Sequence, residues 1–179
     1  SEVERIVKES EELNEKITRD LEEAEKEVRK TNDEIRRVVE EMSRRNEKLI
    51  RDIDDEVRKR PEKKEDVDEL IKRVDELLER ALRELEKLIR DDRELIEEVS
   101  RRIEKLVRDD EEKIRRAKEA GVDDEIIKEL EKKTRDNLDK VRKIIERLRR
   151  ETDKTEKELR DIIRKNEDEN RKLEEKVRR

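Results

Sequence analysis

Proline and glycine occur once each, at Pro61 and Gly121, so only two places in 179 residues break a helix. They cut the chain into three stretches of nearly equal length, filled mostly with Glu, Lys, Arg, Leu and Ile, and three long helices are expected. Ser1 with Glu4 has the capping-box pattern, so the first helix should start at about residue 2 and run to about 59, where Pro61 removes a donor. The second should span about 64 to 120. Either Asp66 ahead of Glu69 caps it, or Pro61 sits in its first turn. Gly121 fits the left-handed position just past a helix and Asp123 the next N-cap. Val122 can then staple onto Ile127, which places the third helix at about 124 to 178. At 1.5 Å per residue each is about 80 Å long.

Charged helices can stand alone as solvated rods, held by acid–base pairs three or four residues apart. The apolar positions argue otherwise. Val3, Val7, Leu13, Ile17, Leu21, Ala24, Val28, Ile35, Met42, Leu49 and Ile53 keep to one face of the first helix, and each later helix has a similar stripe. Short loops make sequence neighbours antiparallel. The expected fold is therefore all-α, one domain over residues 1–179, a long up-down-up antiparallel three-helix bundle. The stripe repeats at eighteen residues: Ile126, Ile144 and Ile162; Ile127, Ile145 and Ile163; Val141, Leu159 and Val177; Leu70, Leu88 and Leu106; Ile71, Ile89 and Val107; Ile17, Ile35 and Ile53. Heptads drift one way around a helix and eleven-residue repeats the other. Eighteen combines one of each, so straight, nearly untwisted helices are expected.

Polar residues interrupt the stripe at Ser10, Asn14, Thr31, Asn32 and Asn46, at Asp92 and Asp110, and at Thr134, Asn137, Thr152, Thr155, Asn166 and Asn170. Folding the chain about residues near 62 and 122 groups them into three layers. Asn14, Asp110, Thr134 and Asn137 form the first, Asn32, Asp92, Thr152 and Thr155 the second, and Asn46, Asn166 and Asn170 the third. A polar group buried unpaired costs about 1 to 3 kcal/mol, so cross-helix pairing in these layers would penalise any sliding of one helix past another. Some of the group, Ser10 and Thr31 foremost, could instead lie at the seam edge in water. A buried carboxylate such as Asp92 or Asp110 needs donors from Asn, Thr or a long Arg, or it takes up a proton instead.

Composition excludes most chemistry. His, Cys, Gln and every aromatic residue are absent. Nucleophilic catalysis is left to a few hydroxyls with no imidazole beside them, and zinc, haem and redox centres lose their usual ligands. The acidic doublets Asp54 with Asp55, Asp91 with Asp92, Asp109 with Asp110 and Asp123 with Asp124 suggest calcium only superficially. The loops are too short for an EF-hand, and di-metal bundles use a Glu-x-x-His motif that cannot exist here. No catalytic residue, cofactor or metal site is therefore expected. The 59 acids nearly cancel 53 bases, leaving a net charge of -6 with the signs interspersed. Neither nucleic acid nor membrane is an expected partner, since there is no basic stripe, no stacking ring and no apolar run near eighteen residues. Opening on Ser1 rather than methionine, the chain reads as cut for recombinant expression, soluble and cytoplasmic there.

The fourteen-letter alphabet, the near-equal helices, filler such as ERLRRE and ELIKR, the loop KRPEKKED, the cap EAGVDDE and the polar layers together set a style. Over its whole length the chain resembles de novo designed helical bundles with modular buried hydrogen-bond networks. The resemblance implies a scaffold, an assembly subunit or part of a switch, without catalysis or natural partner. Many such proteins use Gln, His or Trp in their networks, whereas this chain has only Asn, Asp, Ser and Thr. Two functions follow: a self-contained structural scaffold that requires no partner, or an interaction module that accepts a further helix or self-associates. The doublets Leu77 with Leu78, Ala81 with Leu82 and Leu95 with Ile96 favour the second if they leave apolar surface exposed. A natural spectrin-like spacer fits poorly without any aromatic residue or glutamine.

Overall fold

The computed structural model describes residues 1–61 and 64–178, excepting the side chains of residues 64–66. The fold is all-α, a three-helix bundle built from α1 (Glu2–Lys59), α2 (Lys64–Glu119) and α3 (Asp124–Arg178). Ser1 Oγ accepts the Glu4 N–H at 3.3 Å, which makes the first half of the cap, and the Glu4 carboxylate lies 3.7 Å from the terminal ammonium as an exposed ion pair. α1 stops two residues before Pro61. α2 begins at Lys64, which puts Asp66 within its first turn; the Asp66 side chain lies outside the described residues.

The second turn closes on backbone chemistry. Gly121 sits at φ 80°, its N–H reaches the Lys118 carbonyl at 3.1 Å, and the Val122 N–H reaches the Ala117 carbonyl at 3.1 Å. This double closure is the Schellman motif, and Val122, Ala117 and Ile127 share one apolar cluster beneath it. Nothing lies within 4 Å of where a Gly121 Cβ would be, so the cost of a side chain there comes from the backbone alone. Gly121→Ala should lower stability by about 1 kcal/mol in urea denaturation.

Two compact units divide the chain, Ser1–Lys30 with Asp92–Glu151 and Thr31–Asp91 with Thr152–Arg179, and each draws on all three helices. In the first, ion pairs join Glu9 to Lys113 and Asp20 to Arg102, so α2 runs against α1. Lys118 with Glu131 and Glu97 with Arg149 show α3 running against α2. Glu25 with Arg147 in the first unit, and Arg36 with Glu158 and Asp54 with Lys176 in the second, are each 122 residues apart, which sets α1 and α3 parallel within each unit.

The core of each unit is aliphatic throughout. In the first, Ile17, Leu21, Val28, Ile103, Val141 and Leu148 belong to one cluster, and Ile6, Ile114, Ala117 and Leu130 to another. The second unit packs Ile35, Val39, Met42, Leu85, Leu159 and Ile163 together, and separately Ile53, Val67, Val74, Leu173 and Val177. Burial follows the eighteen-residue period. Ile127, Ile145 and Ile163 are all buried, while Ile126, Ile144 and Ile162 are all half-buried. No large apolar side chain among the described residues is exposed.

Candidate functional site

The first polar layer lies in the first unit and is centred on Asp110, whose carboxylate is 0% exposed. Ser10 Oγ of α1 donates to Asp110 Oδ1 at 2.6 Å, and Thr134 Oγ1 of α3 donates to Asp110 Oδ2. Each oxygen thus receives a proton from a different helix, which ties three helices through one side chain. Here the structure differs from the sequence expectation. Ser10, not Asn14, meets Asp110, and Ser10 is fully buried rather than solvated. The signal was present in the repeat, because Ser10, Val28 and Asn46 stand eighteen apart and are all 0% exposed. Asn14, one turn further on, is half-buried and turns toward α3, where Asn137 Nδ2 donates to Asn14 Oδ1 at 2.8 Å. Its own Nδ2 returns to the Ser10 carbonyl at 3.1 Å.

The residues grouped as the second layer are all buried, Asp92 in the first unit and Asn32, Thr152 and Thr155 in the second. Asn32 Oδ1 and Thr152 Oγ1 have no hydrogen-bond partner among the described residues. Thr31 is half-buried, as an edge position should be.

The third layer lies in the second unit. Asn46 Nδ2 donates to Asn166 Oδ1 and to Asn170 Oδ1, both at 3.0 Å. Asn166 Nδ2 donates in turn to Ser43 Oγ at 3.0 Å and to the Ile162 carbonyl, one turn back, at 2.8 Å. Ser43 was not singled out in the sequence. It is only half-buried and belongs to no apolar series, so neither spacing nor stripe marks it.

The carboxylates whose charge the surroundings shift lie outside these layers. A hydrogen bond from Lys113 holds the Glu9 carboxyl below the usual range, and Lys176 and Lys118 do the same for Asp54 and Glu131. Asp75 goes the other way. Burial pushes its carboxyl above the ordinary aspartate value, and the nearby charges of Glu174 and Glu79 push it further. A raised value means that the folded chain holds this proton more tightly than the unfolded chain, so ionised Asp75 opposes folding at neutral pH and the penalty fades in acid. Asp75→Asn should therefore raise the urea midpoint at neutral pH and leave it unchanged near pH 3.

No three His, Cys, Asp or Glu side chains among the described residues form a group able to hold a metal ion. No helix among them is long and apolar enough to cross a membrane. Neither a protein-family model nor a curated protein sequence matches the chain. One solved structure that aligns with it is described as a computationally designed three helix bundle. The alignment has 17% identity and a TM-score of 0.43, covering 98% of this chain and 80% of that one.

Proposed function

We propose that the chain is a designed structural scaffold without catalytic activity, its fold specified by an aliphatic seam and its alignment by modular buried hydrogen-bond layers. The observation that carries the reading is Asp110, fully buried and bonded by one hydroxyl from each of the other two helices. Displacing either helix by a turn would strip a buried carboxylate of a donor, whereas apolar neighbours alone tolerate such slips. The alternative, a module that accepts a further helix, would need apolar surface. Each doublet instead buries one member and half-buries the other: Leu78 beneath Leu77, Ala81 beneath Leu82, Ile96 beneath Leu95.

Replacing Asn46, Asn166 and Asn170 together by Val tests the reading. If the layer serves alignment, removing all its polar groups should add about 1 to 3 kcal/mol of stability, because buried amides give way to apolar contacts. The same variant should lose uniqueness, seen as broadened amide NMR signals or mixed masses in light scattering. A variant that unfolds more readily, or that keeps one sharp state, would overturn the role given to the layer. The parent chain should scatter as a monomer at every concentration; a mass that rises with concentration would favour the interaction module.

A further inference from the structure

The hydrogen bonds of the third layer fix the orientation of every amide in it. The Ile162 carbonyl can only accept, so the atom of Asn166 that faces it is the nitrogen, and Asn166 presents its oxygen to Asn46. Asn46 must answer with its nitrogen, and that nitrogen then requires the oxygen of Asn170. Turning over any one amide would set oxygen against oxygen or nitrogen against nitrogen. Once these bonds are made, both N–H groups of Asn46 are used, and two groups of the layer remain without a partner among the described residues: the acceptor Asn46 Oδ1 and the donor Asn170 Nδ2.

Their residues are 0% and 5% exposed, so bulk solvent does not serve either group. Left alone, each would cost about 1 to 3 kcal/mol, and native interiors seldom leave such groups unmet. The two are complementary, one acceptor and one donor, and the structure bounds their separation. The 3.0 Å bond between Asn46 Nδ2 and Asn170 Oδ1 joins the same two side chains. The oxygen and nitrogen of one amide lie roughly 2.2 Å apart, so the unpaired atoms are no more than about 7.5 Å from each other. They do not bond directly. A water bonded to both would set them about 4.5 to 5.5 Å apart, a separation that the bound permits. Asn170 also lines a surface groove with Leu78, Leu82, Glu167 and Glu174.

We propose that one internal water molecule is a fixed member of the third layer, donating to Asn46 Oδ1 and accepting from Asn170 Nδ2. With Ser43, the layer is then a five-membered network in which the water meets the one acceptor and the one donor that the asparagines leave unpaired. This site stands whether or not the chain is a scaffold, since it follows from the pairing of the amides alone. Water-selective rotating-frame NMR on the doubly labelled chain tests it, together with nitrogen–carbon couplings measured across hydrogen bonds. The expected result is a cross-peak between water and the Asn170 side-chain amide protons, with couplings from Asn46 Nδ2 to the Asn166 and Asn170 side-chain carbons. A coupling from Asn170 Nδ2 to the Asn46 side-chain carbon would show a direct bond and overturn the proposal. So would the absence of a water cross-peak at Asn170.

Discussion

Deleting the two hydroxyls that meet Asp110, with Ser10→Ala and Thr134→Val, should cost about 3 to 5 kcal/mol in urea denaturation at neutral pH. Neither change removes much apolar contact, since Ala keeps the Ser10 methylene and Val matches the Thr134 outline. What goes is every donor that the described residues give to a carboxylate that is 0% exposed. A hydrogen bond to a charged group is worth about 1.5 to 3 kcal/mol, and losing both leaves a buried charge with nothing to compensate it. Adding Asp110→Leu to the double variant should restore most of the loss, because no charge then needs a partner. Asp110→Asn alone should be mild, since one hydroxyl can rotate to accept from the new amide while the other still donates. A double variant within about 1 kcal/mol of the parent would mean that Asp110 draws on other donors, and the layer would not be what aligns the first unit.

The helices were legible because their signals are local. Pro61, Gly121 and the caps at Ser1 and Asp123 act within a turn of themselves, and Val122 stapling onto Ile127 needs no knowledge of the rest of the fold. The eighteen-residue series was legible for a related reason: a period of five whole turns keeps equivalent residues on one line of the helix, so Ile17, Ile35 and Ile53 all reach the core. Partnership within a layer was less legible. Asn14 and Ser10 lie one turn apart on the same stripe, and residue numbering cannot say which of the two meets Asp110. That choice depends on how far each side chain sits from the seam axis, which leaves Ser10 fully buried and Asn14 half-buried. Ser43 was hidden for the opposite reason. A small hydroxyl on the rim makes one hydrogen bond to Asn166 and contributes nothing to the apolar pattern from which layers are read.

The aliphatic seam makes its own demand, and Leu148→Ala should show it with a loss of about 3 to 5 kcal/mol, the upper part of the range for such truncations. Leu148 is 0% exposed and belongs to the cluster that holds Ile17, Leu21, Ala24, Val28, Ile96, Val99, Ile103, Val141 and Ile145. Most members of this cluster are β-branched, and in a helix a β-branched side chain is held to one rotamer about its first bond. They cannot swing into the space left behind, and no aromatic ring or long flexible apolar chain stands in the cluster to fill it. The cavity should therefore persist, dry and apolar, so xenon or benzene ought to recover part of the lost stability. Leu138 provides the comparison, because it packs against the same cluster but is only partly buried. Truncating it leaves space that opens to solvent rather than a closed void, and Leu138→Ala should cost less than half as much. Equal losses at the two positions, or no response of the Leu148 variant to xenon, would mean that the interior collapses around missing atoms. A core that soft could not hold the polar layers in register, and the burden of alignment would fall on the surface ion pairs, which at this exposure are each worth at most about 1 kcal/mol.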